Sequence, residues 1–133
     1  MRIVLDSNVL VSALLGQGGP RRLLLILSRK HVIVSSVQML AELDDVLHRD
    51  KFQLTDGQIT DYLSLIVSGS TVLDVADYPE VIRADPDDDV VLASALEGEA
   101  EYIVTGDKHL LLLREYRKMK IITVKQMLAL IEN

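Results

Sequence analysis

Short aliphatic runs alternate with longer amphipathic stretches from one end of this chain to the other, and no other feature restricts its fold as strongly. Arg2 to Leu5, His31 to Val34, Thr71 to Val75, Tyr102 to Val104 and Ile121 to Thr123 read as strands. Runs that are apolar throughout suit strands covered on both faces. Helical patterns fall between them. Ser7 or Asn8 is placed to cap a helix through Leu15. Gly16, Gly18, Gly19 and Pro20 interrupt it, and Arg21 to Ser28 resumes. Ser36 is a cap for a helix from Val37 to about His48, with Val37, Leu40, Leu43 and Leu47 as its apolar face. Thr55 and Gln58 have capping-box spacing and open a helix through about Val67. Pro86 holds the favoured first position of a helix through about Glu97. A turn over Leu110 to Leu113 and a helix from Val124 to Ile131 complete the series. This alternation predicts a three-layer α/β fold with a central parallel sheet flanked by helices. With 133 residues, no repeat and no linker, one domain over 1–133 is expected.

Cysteine is absent, which removes disulfides, thiolate metal sites and a cysteine nucleophile together. The chain opens directly on Arg2 with no apolar leader, and the run Leu23 to Leu27 is far too short to span a bilayer. A cytoplasmic location without membrane contact is the expectation. The formal net charge of −6 argues against a protein that grips nucleic acid through basic residues. Carboxylates that hold divalent cations reverse their local sign, however.

The acids fall where such a site would be built. In open α/β sheets, ligands bind beyond the carboxyl ends of the strands. Asp6 ends the first strand and Asp107 follows the Tyr102–Val104 strand. Asp88 lies in the first turn of a helix on the same edge, and Glu42 is mid-helix about two turns beyond a strand. Carboxylate oxygens without nearby His or Cys suit Mg²⁺ or Mn²⁺. Two such ions activate a water and stabilise a leaving oxygen in phosphodiester hydrolysis. Each Asp also has a purely structural reading. Asp6, Asp85 and Asp107 are placed to cap helices, with Asp87 and Asp88 favoured by the helix dipole. A mid-helix glutamate caps nothing, and its alternative is a solvated face. His31, His48 and His109 show no metal spacing and read as structural or surface residues. Arg21-Arg22, Arg29-Lys30, Arg49 with Lys51, and the group Arg114, Arg117, Lys118 and Lys120 read as solvated faces in preference to phosphate contacts.

The motifs together resemble a known family. Ile3-Val4-Leu5-Asp6-Ser7-Asn8 resembles the opening motif of PIN domains. Leu40-Ala41-Glu42-Leu43 is similar to the family's glutamate helix. Asp85-Pro86-Asp87-Asp88-Asp89 is similar to its third acidic motif, and Tyr102-Ile103-Val104-Thr105-Gly106-Asp107 to its fourth. All four stand in the family's order and cover nearly the whole chain. The subgroup they resemble is the VapC-like toxins of toxin–antitoxin pairs. The resemblance implies a metal-dependent ribonuclease using Mg²⁺ or Mn²⁺, an RNA substrate, a cognate antitoxin and a homodimer, with Leu23 to Leu27 as one contributor to its interface. It implies Asp6, Glu42 and Asp88 as core metal ligands, Asp107 as the acid completing the site, and Asn8 supporting Asp6. Asp85, Asp89 and Thr105 would support the set. Asp89 stands where the subgroup usually has Asn. Asp88 is preferred as the ligand, with Leu92 and Ala95 on its helical face.

Two other classes share parts of this pattern. A receiver-type signalling domain would use Asp74 at the end of Val72-Leu73, but it needs an acidic pair in the first strand and a late Lys-Pro step, and Lys120 is followed by Ile121. A haloacid-dehalogenase-like phosphatase needs a second Asp where Asn8 stands, and an amide cannot serve as general acid. A PIN fold without catalysis, acting only as a binding module, is the alternative within the family.

Overall fold

The computed structural model describes residues 1–75 and 86–132, the side chains of residues 86–88 excepted. Its elements run β1 (Arg2–Leu5), α1 (Ser7–Leu15), α2 (Gly19–Lys30), β2 (Val32–Ser36), α3 (Val37–Leu47), α4 (Asp56–Ser68), β3 (Ser70–Leu73), α5 (Pro86–Glu97), β4 (Tyr102–Val104), α6 (Lys108–Leu113), β5 (Glu115–Tyr116), β6 (Met119–Ile122) and α7 (Val124–Ile131). The strands form one sheet in the order β3-β2-β1-β4-β6-β5. Every pairing is parallel except β5 with β6.

The apolar runs are buried on both faces, as their composition requires. Ile3 and Leu5 of β1 and Ile33 of β2 join one core with residues of α1, α2, α3, α4 and α7. Val4 and Val34 point the other way, into a second core with Ile103, Ile121, α5 and Leu110 of α6. Burial of side chains on this scale is the main favourable term holding such a domain together. Leu23 and Leu27 are fully buried, while Leu25 is half exposed. The Leu-rich segment of α2 is thus chiefly core, because every third or fourth position of a helix faces the sheet. Among the described residues no helix is long and apolar enough to cross a membrane.

Capping follows the sequence at α3 and α4, and α7 adds a box at Thr123, which the sequence pattern places in a strand. Ser36 Oγ accepts from Met39 N, and Thr55/Gln58 and Thr123/Gln126 form complete capping boxes. At α1 the cap is Asp6, as the structural reading of that acid has it, and not Ser7 or Asn8; its side chain accepts from Ser7 N. The far end of α1 is closed by Arg21, whose Nε and Nη2 donate to the carbonyls of Ala13 and Leu14 at 2.9 and 2.6 Å. A cation on the last carbonyls of a helix is favoured by the dipole, so Arg21 is structural. Helix α2 starts two residues earlier than the glycines suggested, because Pro20 sits in its first turn, where a proline is tolerated.

The largest departure is β5. It pairs antiparallel with β6 through a tight turn at Arg117 and Lys118, which adopt positive φ of 50° and 74°. Asn and Gly are the usual residues for such a turn. Neither is present, so the hairpin left no mark in the sequence pattern, and the sheet is mostly rather than wholly parallel.

His48 closes α3. Its Nδ1 lies 2.8 Å from the carbonyl of Asp44, with the Asp44 and Asp56 carboxylates at 3.2 and 3.4 Å. That carbonyl, then the two carboxylates, raise its pKa above the ordinary 6.5. A raised histidine pKa stabilises the fold fully below the unfolded value, and the contribution fades as pH rises through the folded one. His48→Ala should therefore lower the melting temperature more at pH 5.5, roughly a unit below the ordinary histidine pKa, than in alkaline buffer. Thermal melts at both pH values check it, and an equal loss at both would contradict the assignment.

Candidate active site

The strand order reverses direction between β1 and β4: α-helical connections lead outward from β1 to β2 and β3 on one side, and to β4 and β6 on the other. A crevice opens at the carboxyl end of such a switch point. Asp6 leaves β1 there, and Thr105, Gly106 and Asp107 leave β4 beside it.

Asp6 is 5% exposed and accepts three hydrogen bonds. Ser7 N donates to Oδ1 at 2.8 Å, while Asn8 Nδ2 and Thr105 Oγ1 donate to Oδ2 at 3.0 and 2.8 Å. Asn8 reaches across the crevice. Its Oδ1 accepts from Gly106 N at 2.9 Å. Thr105 Oγ1 also accepts from Asp107 N at 2.9 Å. The ends of β1 and β4 are thereby stitched into one rim. Asp107 caps α6, its Oδ1 accepting from His109 N at 2.7 Å. Glu42 approaches from α3, where Ser7 Oγ donates to its Oε2 at 3.3 Å.

Burial raises the pKa of Asp6 above its ordinary 3.8, and the negative charge of Asp107 adds to the rise. The bonds from Thr105, Ser7 and Asn8 oppose it without cancelling it. A carboxyl whose folded pKa is raised stabilises the fold below the unfolded value and loses that contribution as pH climbs through the folded one. The desolvated Asp6 carboxyl thus faces a second acidic side chain, an arrangement that a cation would relieve.

Of the residues the sequence singled out, the structure brings Asp6, Asn8, Thr105 and Asp107 into one network, with Glu42 joined through Ser7. Both the capping role and the rim position hold for Asp6 and Asp107. Asp89 is buried in the first turn of α5. Asp85 and the side chain of Asp88 lie outside the described residues. Among the described residues, no three of His, Asp or Glu form a group able to hold a metal ion. Asp74, the acid a signalling site would need, lies beyond the outer strand β3 and accepts from Gln38 Nε2 at 2.8 Å.

Three neighbours escaped the sequence reading. Ser7 links Glu42 to the Asp6 loop, His109 Nδ1 lies 3.7 Å from Asp107 Oδ1, and Lys125 lines the cleft that Asn8 and Asp107 open into. Only the tertiary fold juxtaposes Glu42 and Lys125 with the rim. His109, two residues from Asp107, was visible but has no partner histidine at metal spacing.

Acidic side chains gathered at the switch point of a mostly parallel sheet define an α/β protein with a carboxylate-lined crevice. The chain belongs to the PIN domain family, whose model matches residues 2–109. PIN domains are generally nucleases, and typically use divalent metals. The fold is similar to that in the crystal structure of VapBC2 from Rickettsia felis bound to a DNA fragment from their promoter. The TM-score is 0.66 and the identity 18%, over 92% of this chain and 98% of that one. It is also similar to PAE2754 from Pyrobaculum aerophilum, with a TM-score of 0.61 and 18% identity over 97% of this chain and 88% of that one. No curated protein matches the chain.

Proposed function

We propose that the protein is a Mg²⁺- or Mn²⁺-dependent endoribonuclease, the toxin of a cytoplasmic toxin–antitoxin pair, acting as a homodimer and held inactive by a cognate antitoxin. The observation that carries this reading is the buried Asp6 carboxylate, cross-linked to Thr105 and facing Asp107 at the switch point of the sheet. The likeness to a VapBC2 structure supports the toxin assignment.

The donor set fits hard divalent cations, since oxygen ligands predominate and no cysteine exists in the chain. Asp6, Glu42 and Asp88 would hold the ion, with Asp107 completing the site and Asp89 and Asp85 supporting it. When bound, such an ion would lower the pKa of a coordinated water and offer positive charge to the phosphoryl oxygens. The protein's own groups do the rest. Thr105, Asn8 and Ser7 N orient the Asp6 carboxylate. Asn8 and Gly106 keep the β1 and β4 ends at fixed separation, and Ser7 restrains Glu42. A metal at the rim would offset much of the local negative charge, which helps reconcile an RNA substrate with a net charge of −6.

Calorimetric titration with Mn²⁺, paired with cleavage of a mixed-sequence single-stranded RNA, tests the reading. Wild type should bind Mn²⁺ and cleave. Asp88→Asn should lose both while keeping its fold by circular dichroism, and Asp89→Asn should lose less. Binding unaffected by Asp88→Asn would move the ligand role to Asp89. Metal binding without cleavage of any RNA would favour the non-catalytic binding module.

A further inference from the structure

We infer that Lys125 grips a backbone phosphate of the substrate strand next to the one being cut, and that the strand leaves the acidic rim along the groove between α2 and α7. The inference rests on the ribonuclease reading above for its substrate and adds a path and a binding residue to it.

The cleft that Asn8, Thr105 and Asp107 open into is about 610 Å³ and is closed on its other side by Thr123, Val124 and Lys125 of the β6–α7 junction. A second groove of about 480 Å³ continues from it, sharing Val124 and Lys125 and running past Gly19 and Arg22 to Glu132. Val124 and Lys125 therefore form the ridge common to both, which a strand passing from the first to the second must cross, and Lys125 is its charged member. It is exposed, and Arg22 further along is held by Glu132 at 3.2 Å.

The placement of Lys125 is costly for the helix. It is the second residue of α7, whose first turn contains no acid to balance it. The positive end of the helix dipole repels a cation there and favours Asp or Glu. Locally unfavourable residues that gain nothing in packing mark places where function outweighs stability. Several basic residues elsewhere have structural or neutral settings: Arg21 caps α1, Arg29 and Lys30 suit the end of α2, and Lys51 lies over the Phe52 ring; Lys108 also opens a helix, α6, but does not line the cleft. A polyanionic strand with one phosphate at the rim needs a cation one step away to fix its direction, and Lys125 is the cation in the cleft that holds Asp107. Phosphate contacts of this type fix register without reading sequence.

The test uses a labelled single-stranded oligoribonucleotide, with Ca²⁺ present for binding and Mn²⁺ for cleavage. It compares wild type, Lys125→Ala, Lys125→Glu and Lys30→Ala, the last at the opposite end of α2. Lys125→Ala should weaken binding and raise KM by about tenfold, the loss of one charge-assisted contact, with kcat nearly unchanged. The slope of log affinity against log salt should fall by about 0.7, one phosphate on a single strand. Lys30→Ala should match wild type. Lys125→Glu should bind still more weakly yet melt at a higher temperature than wild type. Wild-type affinity and salt slope in Lys125→Ala would overturn the inference and leave the nuclease reading intact. Lys125-dependent binding without cleavage would keep the groove and remove the nuclease. Failure of the wild type to bind the oligoribonucleotide, or a Lys125→Glu protein that melts below wild type, would also overturn it.

Discussion

Asp6→Asn is expected to abolish the rise in melting temperature that Mn²⁺ gives the wild type and to cut RNA cleavage by roughly a thousandfold or more. Removing a metal ligand forfeits charge stabilisation on the order of 4 kcal/mol in the transition state, and each tenfold in rate corresponds to about 1.4 kcal/mol. The metal-free variant should nonetheless melt close to wild type. Asn keeps an oxygen for the Ser7 N–H that caps α1, and it removes a desolvated acid facing Asp107. It also loses an acceptor for Asn8 or Thr105, so the two effects offset to within about 1 kcal/mol. Thermal melts with and without Mn²⁺, read beside cleavage rates, separate the outcomes. A variant that retains the metal-induced shift would show that the cation sits elsewhere. A variant that fails to fold without metal would show that Asp6 is structural first.

Gly98→Ala should destabilise the protein by roughly 2–3 kcal/mol, as overpacking in a tight core does. Gly98 follows α5 and lies directly over the sheet. A Cβ there would stand 2.4 Å from Val34 Cγ1, 3.1 Å from the Ser94 carbonyl oxygen and 3.2 Å from Leu73 Cδ1. Val34 is fully buried and has no room to retreat. The Gly98 carbonyl is also held, accepting from Arg2 Nε at 2.6 Å. Denaturant midpoints give the cost. Val34→Ala alone should cost on the order of 2 kcal/mol by leaving a cavity. In the double variant, the new methyl fills part of that cavity, so the two costs should sum to at least about 1 kcal/mol more than is observed. Full additivity would mean that the two side chains do not compete for the same space.

Some of this architecture was legible before any coordinates. The run Ile3-Val4-Leu5 ending in Asp6 announced both a doubly covered strand and the acid at its exit, because burial and position at the strand end are each one-dimensional signals. The Thr55/Gln58 capping box was equally plain, since both partners lie within one turn. Relations across the chain were not. That Ser7 restrains Glu42 depends on how α1 and α3 cross. That Arg21 closes α1 depends on a chain reversal at Gly16 to Gly19. Asp6 was expected at the rim and as one reading of a cap. Its carboxylate serves both, because a strand that feeds directly into a helix makes the last residue of one the cap of the next. The β5–β6 hairpin was invisible because Arg117 and Lys118 adopt a turn their side chains do not advertise.

That hairpin has a consequence for how the molecule meets its own copies. The outermost strand of a sheet offers unpaired amides and carbonyls on which another chain could template. Here the outermost strand beside β6 is two residues long, ends in a left-handed turn and carries Arg117 and Lys118 at its tip, with Arg114 just before it. A newcomer strand would find too short a ladder, the wrong twist and a row of like charges. The side of the sheet furthest from β3 is therefore closed to fibre-like growth.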